Sequence, residues 1–462
     1  MTIGFIEHLI YLLLSVIIVY IIGFFTYATI SSSQNKPTYL TVFYQYFSGT
    51  FAIITAYSIF KTHGFTINIV LLFFILFYFI KNKIKFNIKK AFFLEGIIIS
   101  ILFVIFWYAY MYFSHYDWVT HQIYNFDLDG PIYSSIAERL NHNGTESNIS
   151  NTFYNEPIRN LYHFGDIWLI AFFSKILNIT TYLASWLIFM PQQLMLFSIG
   201  VICISLNILN NKHKLFIIII SIPILFLPNL FSSISAQYID QTSWSWVFGY
   251  TLMDSNKFMV VANCFIIVIL QILNSQNRNA VLACCLCIVI HFGTLPAIAL
   301  CLFIYYLLML ILKKHTIRET ISFMLPFIFT IIFIITYKII IQIINNRHLY
   351  YIPKSTTSFS IGIRSSHFYV DIIYTAINWI KSEFLRLIIF LFLGVLILIK
   401  NYKKSNYINV FIFSMCMILS GTLLASVLYF YPDAFQLLTL VYIPIALLFS
   451  LVTMMYLILY YK

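Results

Sequence analysis

A chain of 462 residues that is 61% hydrophobic and only 9% charged cannot cover itself with a water-compatible surface. The mean hydropathy of +0.90 excludes an ordinary soluble enzyme. The +12 net charge sits in short basic clusters between apolar runs, so it reads as membrane topology and not as nucleic-acid binding.

Apolar runs of roughly 17–25 residues recur from end to end, the length a helix needs to cross a bilayer core of roughly 30 Å. In lipid only helices and closed barrels satisfy their own backbone. A barrel needs alternation of apolar and polar residues, which 215–231 and 385–400 lack. The expected fold is therefore an all-α polytopic membrane protein. In chain order the predicted spans are 9–30, 39–60, 66–81, 91–113, 182–209, 215–231, 258–273, 280–292, 294–312, 320–342, 383–399, 407–430 and 437–460, about 13 helices. The first lacks a basic leader and a small-residue cleavage site, so it reads as a retained helix.

Lys and Arg cluster at 81–90, 212–214, 313–318 and 400–404. Short basic loops stay on the cytoplasmic side, which puts the N-terminus outside and the C-terminus inside. Three regions follow: N-terminal spans over 1–113, an outer-face loop with juxtamembrane helices over 114–181, and a helix bundle over 182–462 with outer loops 232–257 and 343–382. The stretch 166–178 is apolar but short, and reads as an amphipathic or re-entrant helix at the outer interface. All seven cysteines lie inside apolar runs and read as small core residues rather than zinc ligands.

The loop 114–165 carries Asp117, Asp127, Asp129, Glu138, Glu146 and Glu156 in a chain with 15 acidic residues. A loop this long between helices is usually functional or disordered, and its Trp118, Tyr and Phe content argues against disorder. Pro131 behind Asp129-Gly130 is a favourable helix start, and Ile132, Ile136, Ala137 and Leu140 then share a face. Asp129 falls at that helix N-terminus, where the dipole stabilises a negative charge. There it is either a simple cap or a general base for an acceptor arriving from outside.

The run Asp129-Gly-Pro-Ile-Tyr133-Ser-Ser-Ile-Ala137-Glu-Arg-Leu140, followed by Gly144, resembles the first outer loop of the GT-C fold glycosyltransferases. That superfamily includes protein O-mannosyltransferases and lipid A aminoarabinose transferases. Asn-Leu-Tyr162-His163-Phe-Gly165-Asp166 is similar to the family's entry into a short hydrophobic helix. His291-Phe-Gly-Thr294-Leu-Pro296-Ala resembles a later span of the family. Where the family often has a second acid directly after the first, this chain has Gly130, and Asp127-Leu-Asp129 reads instead as a DxD pair. Three or four spans precede the loop, where the family usually has one.

The resemblance implies a transferase that moves a sugar from a polyprenyl-phosphate-linked donor to a lipid, glycan or protein acceptor at the outer face, by inversion. It implies a location in the bacterial cytoplasmic membrane, with membrane lipids as surroundings. Asp129 is then the catalytic base, with Asp127 beside it. Both would hold a divalent metal, Mg or Mn, if the reaction is metal-dependent. The leaving phosphate calls for cationic or hydrogen-bonding partners, for which the candidates are His163, Arg159, His291, Arg347, Lys354 and Arg364. Tyr133, Tyr162, Glu156 and Trp244 are candidates for contact with acceptor or sugar.

Plainer readings stand beside these. Asp166 reads as a helix cap, His163 as an interfacial side chain bonded to backbone, and His291 as a core histidine between helices. Trp118, Trp244 and Trp246 suit an interfacial aromatic belt. Rival functions are a polymerase of lipid-linked glycan repeat units, a transporter or flippase, and a non-catalytic subunit. A transporter would show repeated halves and mid-span charges, neither of which the sequence has.

Overall fold

The computed structural model describes residues 2–30, 38–81, 92–115, 129–147, 159–208, 214–219, 256–347 and 405–427, with isolated positions at 373, 377, 392 and 452. Regular structure among the described residues is helical throughout. In the N-terminal half it comprises α1 (Thr2–Ile30), α2 (Tyr39–Lys61), α3 (Ile69–Lys81), α4 (Leu94–His115), α5 (Asp129–Asn143) and α6 (Phe164–Leu177). A continuous helix, α7 (Thr181–Ile208), follows. Then come α8 (Asn256–Leu273), α9 (Asn277–Ile290), α10 (Leu295–Ile311), α11 (Ile317–Arg347) and α12 (Ser405–Val427).

Among the described residues, six segments are long and apolar enough to cross a membrane: Gly4–Ala28, Leu94–Phe113, Thr181–Ile208, Phe292–Ile311, Ile317–Asn345 and Asn406–Leu424. They make this a helical protein of membrane-embedded character. Four expected spans on described residues are not among these six: 39–60, 66–81, 258–273 and 280–292, the last two forming the shorter apolar helices Met259–Leu273 and Asn277–Ile290. The helix over 39–61 carries Thr41, Gln45, Ser48, Thr50, Thr55 and Ser58, which lower its hydropathy, and it buries most of them. The span expected over 66–81 is helical only from Ile69 to Lys81, 13 residues, because 62–68 forms turns. The expected spans 215–231, 383–399 and 437–460 fall almost wholly outside the described residues.

Two compact units divide the chain. The first comprises residues 1–203, 253–263 and 333–345. Its outer helix is α1, which shows Ile6, Ile10, Leu14, Ile17, Ile21 and Phe25 on one exposed stripe and buries Leu12, Val16 and Val19 on the other. Without water outside, the hydrophobic effect cannot drive such a helix inward, so close packing must hold it. Glycine supplies that packing. A Cβ on Gly23 would lie 1.8 Å from the Gln45 carbonyl oxygen, and one on Gly49 2.2 Å from that of Val19. The backbones of α1 and α2 touch there, and Ser48 Oγ donates to the Gly23 carbonyl at 3.2 Å.

Behind this pair, Trp107 Nε1 of α4 donates to Ser198 Oγ of α7 at 3.0 Å. The turn Ala184–Phe189 of α7 is π-helical, with Met190 N bonded to the Ser185 carbonyl. Pro191 accounts for the widening. It has no N–H, and its ring collides with the carbonyl four residues back, here that of Leu187. Gln192 then donates to Ser15 of α1, and Asn263 Nδ2 donates to Gln193 Oε1 at 2.9 Å.

In the second unit, of residues 204–252, 264–332 and 346–462, α10 packs on α12. Tyr305 meets Phe413 edge-on at 5.4 Å. Asn406 Nδ2 donates to the Leu273 carbonyl at 2.8 Å, and Lys314 Nζ to Asn409 Oδ1 at 2.8 Å. All seven cysteines are buried and free, in keeping with a packing role.

The glycine contact yields the first test. Gly49→Val forces a branched side chain into a carbonyl and should cost about 2–3 kcal/mol. We expect a clearly lower thermal midpoint in detergent, whereas Gly4→Val, in open space, should leave it unmoved.

Candidate functional site

The loop sequence organises itself around α5. Its buried stripe is Tyr133, Ile136, Ala137 and Leu140, while Ile132 is half exposed. The spacing i, i+3, i+4, i+7 is that of one helix face, so the face is rotated by one position from the expected one and takes in Tyr133. Gly144 ends the helix at φ +60°, with its N–H on the Leu140 carbonyl at 3.0 Å. A Cβ at Gly144 would sit 2.1 Å from the Lys61 carbonyl oxygen. Glycine therefore lets the chain press against the end of α2. Asn141 completes the joint: it accepts from Tyr57 at 2.6 Å and donates to the Ala171 carbonyl of α6 at 2.9 Å.

Two residues beyond Gly144 the chain inserts Glu146, which is wholly buried. Its Oε1 accepts from Thr66 Oγ1 at 2.6 Å and from Trp168 Nε1 at 2.8 Å. Its Oε2 accepts from Tyr337 Oη at 2.5 Å and from the Ile67 N–H at 3.3 Å. Four donors from three separate parts of the chain meet one carboxyl group. That density offsets the cost of removing it from water.

Arg159 follows in the returning segment. Its backbone N–H donates to Asn345 Oδ1 at 3.3 Å, and its carbonyl accepts from Asn345 Nδ2 at 2.8 Å. The guanidinium lies over the Phe65 ring at 4.4 Å and donates through Nη1 to the Phe65 carbonyl at 3.1 Å. Burial pushes its pKa down, and Tyr337 and then Glu146 act in the opposite direction. No carboxylate among the described residues lies within 4 Å of the Arg159 guanidinium.

The helix α6 begins directly after His163. Asp166, in the first turn, takes the Ile167 N–H at 3.0 Å and faces His163 Nδ1 at 3.3 Å. It sits inside the first turn, and His163 occupies the capping position. Tyr133 meets the His163 ring edge-on at 5.0 Å, and Tyr162 lies 4.0 Å from it. Residues 163–171 are buried without a break. The stretch expected as an amphipathic or re-entrant helix is enclosed by protein over these residues, where α2, α5 and the π-helical turn pack against α6.

The first unit therefore brings together His163, Arg159, Tyr133 and Tyr162 along one loop. Tyr133 is 1% exposed, so its ring contacts protein. Asp129 and Gly130 open α5, with the Asp129 side chain outside the described residues. Arg347 is the last residue of α11 and not part of a loop, its side chain likewise outside the description. Asp127, Glu156, Trp244, Lys354 and Arg364 also lie outside it. His291 belongs to the second unit, buried where α9 gives way to the short 3-10 turn Phe292–Thr294, and its carbonyl accepts from Thr294 Oγ1 at 2.8 Å. Among the described residues no group of three or more His, Cys, Asp or Glu is placed to hold a metal ion.

Glu146, Tyr337, Trp168 and Asn345 escaped the sequence reading as functional candidates. Glu146 lies in Asn-Gly-Thr-Glu-Ser-Asn, which looks like a solvated loop, and its donors are up to 191 residues away. No local signal could have exposed it.

No family model, curated protein or solved structure matches the chain.

Trp168→Phe keeps an aromatic ring but removes one donor from Glu146 together with the pyrrole half of the indole. We expect a loss of about 1–2 kcal/mol, seen as a lower denaturation midpoint. An unchanged midpoint would mean that Glu146 is adequately served by three donors.

Proposed function

We propose that this chain is an integral-membrane glycosyltransferase of the GT-C type, with about 13 spanning helices, acting at the outer face of a bacterial cytoplasmic membrane. It moves a sugar from a polyprenyl-phosphate-linked donor to a lipid, glycan or protein acceptor, with inversion. The observation that carries the reading is the anchoring of the loop after α4. That loop starts α5 at Asp129 and docks it on α2 and α6. It also lays the Arg159 guanidinium, without a carboxylate partner among the described residues, and the His163 ring into the same stretch of chain.

Rigid support of a reacting group is what transfer chemistry requires. Asp129 takes the acceptor hydroxyl proton as that oxygen attacks the anomeric carbon. The bond to the lipid phosphate breaks with its electrons on phosphate oxygen, and cations stabilise the charge that develops there. Arg159, His163, His291, Arg347, Lys354 and Arg364 are the candidates for that task.

The test is transfer of radiolabelled sugar from a panel of polyprenyl-phosphate donors in membranes. Asp129→Asn should lower transfer by about a hundredfold or more while donor binding and thermal midpoint stay close to wild type. Wild-type rates in that variant would remove the proposed base. Arg364→Ala should weaken donor binding without unfolding the protein, and unchanged affinity would take Arg364 out of the site.

A further inference from the structure

We infer that Glu146 is a positioning residue, which holds Arg159 as the receptor of the lipid phosphate, a diester in the sugar donor and a monoester once the sugar has left. The inference rests on the transferase reading and deepens it by naming what fixes the phosphate-binding cation.

Two side chains of α11 make the connection. Tyr337 donates to Glu146 Oε2 and also stacks on Phe65, with ring centroids 5.2 Å apart and planes 24° from parallel. Phe65 is the residue over which the Arg159 guanidinium lies and whose carbonyl it engages. Just over two turns further along α11, Asn345 holds both backbone groups of Arg159. Thr66 and Ile67, next to Phe65, are themselves bonded to Glu146. The carboxyl group thus fixes the Phe65–Ile67 turn on one side and Tyr337 on the other, and these surfaces set where Arg159 sits.

Arg159 itself is underused. Of its five N–H donors, one is bonded to the Phe65 carbonyl, and no carboxylate lies within 4 Å among the described residues. A structural arginine would be expected to spend its fork on a carboxylate, since bidentate pairing is its strongest contact. Glu146 is near enough to act on its charge, but its oxygens are taken by four other donors. Among the described residues the remaining donors of Arg159 are therefore open to an external anion. A planar fork stacked on an aromatic ring presents its donors in a geometry that matches the oxygens of a phosphate group.

The experiment uses the full chain in lipid nanodiscs and a short-chain polyprenyl monophosphate carrying no sugar, with affinity read by calorimetry. Arg159→Ala should weaken binding roughly tenfold. Tyr337→Phe and Glu146→Gln should each weaken it roughly fivefold, and neither should weaken it further in the Arg159→Ala background. Losses of equal size with and without Arg159 would overturn the positioning role, as would unchanged affinity in both variants. Should Glu146→Gln fail to fold, Tyr337→Phe, which deletes only a hydroxyl, decides alone. Inorganic phosphate and the matching uncharged polyprenol separate the sources of the ligand. Both should bind at least tenfold more weakly than the lipid phosphate, and equal binding of inorganic phosphate would overturn the lipid assignment. These results stand apart from sugar transfer by wild type and Asp129→Asn, so the transferase reading and the role of Glu146 can fail separately.

Discussion

A carboxyl group sealed from water must be met by donors from wherever the chain can supply them, and Glu146 imposes that demand on the first unit. It draws the turn after α2, the indole of α6 and a tyrosine of α11 to a single point. Each of those elements has other packing, but only this group ties all of them to the loop. Removing it would leave two hydroxyls, an indole N–H and a backbone N–H without partners, at about 1–3 kcal/mol each. The sum is comparable with the whole stability of an ordinary domain. The loop is therefore as much a part of the fold as the helices are.

The surrounding helices obey a different rule. Apolar side chains on α1 face outward with no penalty where the surroundings are apolar, so its attachment depends on the backbone contact at Gly23 and Gly49. Polar bonds within the interior, such as Trp107 to Ser198 and Asn263 to Gln193, then set the register of α4, α7 and α8. One unit thus combines a close-packed seam at its edge with hydrogen-bonded cross-links inside.

Hydropathy made the long helices legible, since α1, α4, α7, α10, α11 and α12 announce themselves by apolar length. It says less of α2, a helix of 23 residues that buries Thr, Gln and Ser side chains whose partners are unknowable from composition. The helix α5 was readable from Pro131 behind Asp129-Gly130, and it begins two residues earlier, at Asp129. The rotation of its buried face onto Tyr133 was not readable, since it depends on where His163 lies. Arg159 and His163 stood out as cations in a loop. Asn345 and Tyr337, which support the same loop, sit in what reads as an ordinary spanning segment, and only tertiary contact reveals them.

The carbonyl of Glu146 accepts the Asn160 N–H at 3.0 Å, so two positions well apart in the chain are held at one point. Closing such a loop costs only about 0.6 kcal/mol more for each doubling of its length. Residues inserted between Ser147 and Arg159 would therefore cost little stability as long as Glu146, Arg159 and Asn160 keep their partners. Length can change there more cheaply than at any of the three anchoring residues.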